Sequence, residues 1–153
     1  MAHLFQINTS PGGLPKLPKQ EASISMLEVE GDAHRWKGHG GPNAAVCLYS
    51  LEVILALQAK GNPVFPGALG ENFTLSGVDW NLMQPGLQIQ VGEKVLLEVV
   101  SFATPCAKID PYLKDIMQVS QEEHPGWGRP YCKVLQTGTV TIGDKVTLRQ
   151  SEV

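Results

Sequence analysis

Leu87-Gln88-Ile89-Gln90-Val91-Gly92-Glu93-Lys94-Val95-Leu96-Leu97-Glu98-Val99-Val100 is the stretch that decides the fold. Its first five residues alternate apolar and polar, the period-two signature of a half-buried strand. Gly92-Glu93 supplies a tight turn, and Lys94 to Val100 is the returning partner, so the stretch reads as a β-hairpin.

Further strands are expected on both sides. Towards the N-terminus they are Leu4 to Asn8, Ile24 to Glu30, Ala44 to Tyr49 and a strand entered at Phe73. Towards the C-terminus they are Tyr131 to Leu135, Val140 to Ile142 and Val146 to Leu148, with turns at Gly138 and Gly143-Asp144. Two helices interrupt them. Leu51 to Lys60 has Ser50 as N-cap, Glu52 in the first turn, and Gly61 and Pro63 at its end. Tyr112 to Val119 carries Leu113, Ile116 and Met117 at helical spacing. Val78 to Gly86 reads as a helical turn ending in a Pro-Gly turn. The sum is a mainly β protein with a few peripheral helices. A closed or nearly closed antiparallel β-barrel is the expected architecture, because closure removes sheet edges.

The 153 residues are read as one domain, 1–153, with no repeat and no dividing linker. The net charge of -3 supplies no basic footprint for nucleic acid. No apolar run reaches the roughly 18 residues of a membrane span. The start, Met1-Ala2-His3-Leu4-Phe5, lacks the pattern of a signal peptide. Three cysteines, an odd number, suit free thiols in a reducing cytoplasm rather than a disulfide framework.

The hairpin's second strand runs into Ser101-Phe102-Ala103-Thr104-Pro105-Cys106-Ala107-Lys108-Ile109-Asp110-Pro111. Pro105 pushes Thr104 toward the extended region and ends the strand. Asp110-Pro111 reads as a helix start. Cys106 then lies in a strand-to-helix loop, where the helix N-terminus and Lys108 both favour thiolate over thiol. Cys47 and Cys132 sit inside strand patterns and read as inert. The bland alternative is that Cys106 is one more small buried residue.

Other stretches offer partners. Ser10 to Pro18 is a Gly/Pro-rich loop in which Gly12 and Gly13 let a ligand approach the backbone and Lys16 faces its anionic group; an ordinary surface loop is the alternative. Glu30 to Asn43 packs Asp32, His34, Arg35 and His39 among glycines, the density of a binding loop, with a charged hairpin loop as the alternative. Gly70-Glu71-Asn72 at a strand entry can turn an amide and a carboxylate toward a pocket, with an ordinary turn as the alternative. The four histidines lack the short paired spacing of a zinc site, and no nucleophile signature surrounds Cys106 as a Cys-His hydrolase would need. Phosphate-loop and dinucleotide fingerprints are absent.

Taken in order, Asn8 to Lys16, Gly31 to Arg35 with Gly40-Gly41-Pro42, Tyr49-Ser50, Pro66 to Asn72 and Thr104-Pro105-Cys106 resemble the MOSC domain, the C-terminal domain of molybdenum cofactor sulfurases, in a short stand-alone form. The resemblance runs from about residue 4 to 148. It implies a β-barrel and a molybdopterin-type molybdenum cofactor, with Cys106 as catalytic residue and metal ligand. It implies cofactor-binding roles for Lys16, Asp32, His34, Arg35, Asn72, Thr104 and Lys108, with Arg129 a weaker candidate at the rim. It also implies an oxidoreductase component that reduces small N-hydroxylated compounds with electrons from an external donor protein. A sulfur carrier with a persulfide on Cys106, or a non-catalytic cofactor-binding module, are the alternatives. A soft thiolate suits molybdenum and a transferable sulfur equally well.

Overall fold

A computed structural model of the protein describes residues 1–33 and 40–150. The chain forms β1 (His3–Thr9), β2 (Leu17–Lys19), β3 (Glu21–Ile24), β4 (Val46–Ser50), α1 (Leu51–Ala59), β5 (Phe73–Ser76), β6 (Gln88–Val91), β7 (Val95–Phe102), β8 (Pro130–Gln136), β9 (Gly138–Thr141) and β10 (Val146–Arg149). The hairpin is β6–β7, in register from Gln88 opposite Glu98 to Val91 opposite Val95. Ile89, Val91, Val95, Leu97 and Val99 all point into the core. The opposite face carries a Glu98–Lys133 ion pair at 3.1 Å, between residues directly opposite on β7 and β8.

The molecule is mainly β, as the alternation requires, but the closed antiparallel barrel is not what these strands build. Eight of them form one sheet in the order β10-β6-β7-β8-β4-β5-β1-β2, and β3 and β9 pair in a separate ribbon. The sheet is mixed, because β4 and β5 run parallel. A parallel pair needs a crossover, and α1 supplies it. Ser50 caps α1 by accepting from the Val53 N–H at 3.1 Å, while Ile54 and Leu57 bury the inner face. The Gly143-Asp144 turn sends β9 to pair with β3 and β10 to pair with β6. Backbone bonds from Leu4 N–H to the Asp144 carbonyl (2.8 Å) and from Val146 N–H to the Ala2 carbonyl (3.0 Å) join the start of β1 to the turn and the first residue of β10, with His3 and Lys145 in a single antiparallel bridge.

Two local expectations also change. The strand expected over Ile24 to Glu30 lies earlier, at Glu21–Ile24, because Ser25 Oγ accepts from the Leu27 and Glu28 N–H groups and folds the chain back. A hydroxyl that offers the backbone this bond competes with a ladder. The helix expected over Tyr112 to Val119 is two 3₁₀ stretches, Ala107–Tyr112 and Ile116–Val119, separated by extended backbone at Leu113. Between them the Lys114 N–H donates to Asn62 Oδ1 at 2.8 Å instead of to a helical carbonyl. β2 begins at the end of the proline-rich loop; its Pro18 is tolerated because β2 is an outermost strand. Among the described residues no helix is long and apolar enough to cross a membrane.

The two faces of β7 differ in burial, so the same truncation should differ in cost. Leu97→Ala is expected to lose about 2–5 kcal/mol in urea denaturation, and Leu96→Ala, half-buried on the opposite face, less than half as much.

Candidate functional site

A cleft of about 320 Å³ opens where the end of β7, the start of β4, residues 13–16 and residues 69–72 converge. The route of the chain after β7 decides what faces it. Phe102 lies opposite Pro130, and the Ala103 N–H donates to the Arg129 carbonyl at 2.8 Å. Thr104-Pro105 then leaves the sheet, and Cys106 is extended, with φ -141° and ψ 169°. Buried Ile109, whose N–H donates to the Cys106 carbonyl at 3.1 Å, pins the next turn to the core. The Cys106 thiol is therefore exposed at the cleft. The α-helix start expected at Asp110-Pro111 is corrected: Pro111 lies inside the six-residue 3₁₀ stretch, and Cys106 occupies its N-cap position. A turn this short has little of the α-helix dipole, so the dipole argument for the thiolate falls away.

Of the residues singled out from sequence, Lys16, Asn72, Thr104, Cys106 and Lys108 line the cleft. Asp32 stands behind Lys16. His34 and Arg35 lie outside the described residues. Lys16 and Asp32 form a buried ion pair at 2.6 Å. Asp32 also accepts from the Ser10 N–H (3.0 Å) and from Asn72 Nδ2 (2.9 Å). Asn72 in turn accepts from the Cys47 N–H at 2.9 Å. The network ties β1, β4 and the entry of β5 to the loop that carries Lys16. A buried charge pair persists only when both partners are hydrogen-bonded in this way.

Arg129, expected at the rim, is instead part of the cleft wall, 6% exposed. Its Nη1 donates to the Leu69 carbonyl at 2.6 Å. The preceding loop is anchored at three points. Trp80 Nε1 donates to the Gly128 carbonyl (2.8 Å), Tyr49 Oη donates to the Trp127 carbonyl (2.7 Å), and Gln121 Oε1 accepts from the Gly126 and Gly128 N–H groups. The only sequence signal for this is a Trp between glycines, which says nothing about depth.

Cys47 also lines the cleft, which its strand pattern does not reveal. Burial pushes its thiol up to about 11, and burial raises Cys132 well above the usual thiol range. Both stay protonated at neutral pH. Glu71 is fully buried, next in the chain to Asn72 of the cleft wall. Its Oε2 accepts from the Gly67 N–H and from Thr74 Oγ1, each at 3.1 Å. Desolvation pushes its carboxyl up to about 7, against the opposing pull of those bonds and of Arg129. Gly67 has φ +92°, and a Cβ there would collide with the Lys16 carbonyl oxygen, so the Glu71 turn and the Lys16 loop pack backbone to backbone. Among the described residues no three His, Cys, Asp or Glu side chains converge as a metal site would require.

A family model described as the MOSC domain matches residues 36–147. A reductase of Gibberella moniliformis is 31% identical over 132 residues, which is 81% of this chain and 23% of that protein. The Bacillus subtilis protein YflK is 29% identical over 139 residues, 89% of this chain and 62% of that one. The chain thus spans less than two thirds of either relative. The crystal structure of YiiM from Escherichia coli superposes with a TM-score of 0.73 at 26% identity, covering all of this chain and 71% of that one.

Glu71 makes stability depend on pH. Its folded pKa of about 7 lies above its ordinary 4.5, so the folded state holds the proton more tightly across that window. Stability should fall as pH rises from about 4.5 to about 7, by a few kcal/mol at most, and level off above. Urea denaturation from pH 4.5 to 8 is expected to show this slope in the native protein. Glu71→Gln should lose it and be the more stable protein at pH 8; equal slopes in both would exclude the assignment.

Proposed function

The chain belongs to the MOSC domain family, and from that premise we propose that its cleft binds a molybdopterin-type molybdenum cofactor with the Cys106 thiolate as metal ligand. The reaction we propose is reduction of small N-hydroxylated compounds, with electrons drawn from a partner protein. The observation that carries this reading is the exposed Cys106 thiol at a cleft whose wall holds a buried guanidinium.

The residues present suit such a group. The cleft volume lies at the lower end of the roughly 300–1,000 Å³ range of small-molecule sites. A cofactor that carries its own metal asks the protein for one soft donor, and a thiolate is that donor. The Arg129 guanidinium lines the cleft wall, so the wall carries positive charge suited to an anionic ligand. When bound, the molybdenum centre would supply the two-electron chemistry. The protein's own residues do the rest. Arg129 and Lys108 present positive charge to the anionic part of the ligand. Leu14, Leu69 and Ile109 give the cleft its apolar lining and exclude water. The Lys16–Asp32–Asn72 network holds the opposing loops at fixed separation. Cys106 gives up its proton and offers sulfur. A fungal relative named as a reductase supports the redox reading, and the chain's 23% share of that protein leaves electron supply to another domain or protein.

A second reading rests on the exposure of Cys106. An accessible thiol on an extended segment is within reach of a sulfur-donor protein and suits a persulfide carrier.

Protein purified from a host that makes the cofactor is expected to contain molybdenum and pterin. Cys106→Ser should lose most of the metal while keeping the native circular dichroism spectrum; full molybdenum occupancy in that variant would remove Cys106 as ligand. Mass spectrometry after incubation with a cysteine desulfurase tests the second reading, through a sulfur adduct on Cys106 and none on Cys47.

A further inference from the structure

We propose that Tyr131 is the general acid of the cleft: its phenol donates a hydrogen bond, and then its proton, to the oxygen of an N-hydroxylated substrate as the N–O bond is reduced. The inference deepens the reading of the same cleft and rests on it for the reaction. The presence of an uncommitted phenol in the cleft follows from the strand geometry.

The register of the sheet sends this side chain to the cleft. Tyr131 lies opposite Cys47 on β4 and opposite Ser101 on β7, while the next residue, Cys132, lies opposite Val46 and Val99. Residues directly opposite share a face, and successive residues alternate between faces. Val46, Val99 and Cys132 belong to the core, so Cys47 and Tyr131 project from the other face, and both line the cleft. Cys106 and Arg129 line it too. After burial, what the phenol's ionisation responds to is the charge of Cys47, Arg129 and Cys106. All three are cleft residues, so the polar end of the ring is on the cleft side.

A half-buried tyrosine ordinarily finds a partner for its hydroxyl, as Tyr49 does on the Trp127 carbonyl at 2.7 Å. Among the described residues Tyr131 Oη makes no hydrogen bond, although the ring is half-buried. Lys16 and Asn72, two other donors of the same wall, are engaged with Asp32. A phenol holds its proton at neutral pH. Burial raises it further, with Cys47 and Cys106 acting in the same direction and Arg129 against them. It remains a stronger acid than water, at about 15.7, so passing its proton to a departing hydroxide is downhill. The balance is complete with the electron donor already proposed. Two electrons from the donor protein reduce the N–O bond, which breaks. The oxygen takes the Tyr131 proton and leaves as water, the nitrogen takes a proton from solvent, and solvent returns one to the phenolate.

Two measurements test the proposal, one of them independent of turnover. In the native chain, tyrosines labelled with carbon-13 at Cζ are followed by NMR while acetohydroxamic acid is added, and the Tyr131 signal is identified by its loss in Tyr131→Phe. A saturable shift of that signal is expected, with a much smaller one for acetamide, which lacks the N-hydroxyl. No shift at tens of millimolar, or equal shifts with both compounds, overturns the proposal. In the cofactor-loaded protein, Tyr131→Phe removes one oxygen and keeps the ring. It is expected to retain the circular dichroism spectrum, the molybdenum content and the KM for acetohydroxamic acid, and to lose about a hundredfold or more in kcat. The O-acetyl ester of the same compound departs as acetate and needs no proton, so the variant should reduce it within a few-fold of the native rate. Undiminished kcat, or equal losses on both substrates, overturns the role of acid. Failure of the cofactor reading looks different: the native protein carries no molybdenum and reduces nothing, yet acetohydroxamic acid still shifts Tyr131.

Discussion

The site depends on one carboxylate. Asp32 accepts from Lys16 Nζ, the Ser10 N–H and Asn72 Nδ2, all inside the protein. Each donor belongs to a different piece of chain: the loop before β2, the end of β1, and the entry of β5. Asn72 extends the contact to β4 by accepting from the Cys47 N–H. Removing any one partner would leave a charge or a donor buried without compensation, which costs far more than the net worth of the intact pair. This is why loops with so much glycine and proline hold a defined cleft.

That arrangement also divides the labour among charges. Lys16 is neutralised where it stands, so it serves the architecture as much as any ligand. Arg129 forms no ion pair among the described residues; the nearby acid whose titration it affects, Glu71, is buried and held by Gly67 and Thr74. The thiols divide in the same way. Cys47 and Cys132 are kept protonated by desolvation, and of the three only Cys106 is exposed. What selects Cys106 is the route of the chain, from the end of β7 through Thr104-Pro105 to an anchored Ile109, and not an α-helix dipole.

Local chemistry makes several parts legible in the amino-acid sequence. The β6–β7 hairpin, the Ser50 cap on α1, and the break after Thr104 depend on neighbours within a few residues, and each stands where those residues put it. So do the choice of Cys106 as the thiol at issue and the grouping of Lys16 and Asn72 with it, which follow from motifs in order along the chain. The two elements that differ do so for different reasons, one local and one long-range. Ser25 folds the chain back through its own hydroxyl, and Asn62, distant in sequence, takes the backbone bond that a helix over Tyr112 to Val119 would have needed.

By itself, then, the sequence determined a mainly β chain, the Ser50-capped helix α1, a cysteine at a strand end and a resemblance to the MOSC domain. Those follow from periodicity, capping and motif order, all of which are properties of adjacent residues. Only the tertiary structure decided that the sheet is mixed and open, that Lys16 is spoken for by Asp32, and that Arg129 lies buried in the wall of the cleft that Cys106 lines. Sheet order, ion pairing and depth of burial depend on which distant segments meet, and nothing in the local pattern around Gly126 to Arg129 carries that information.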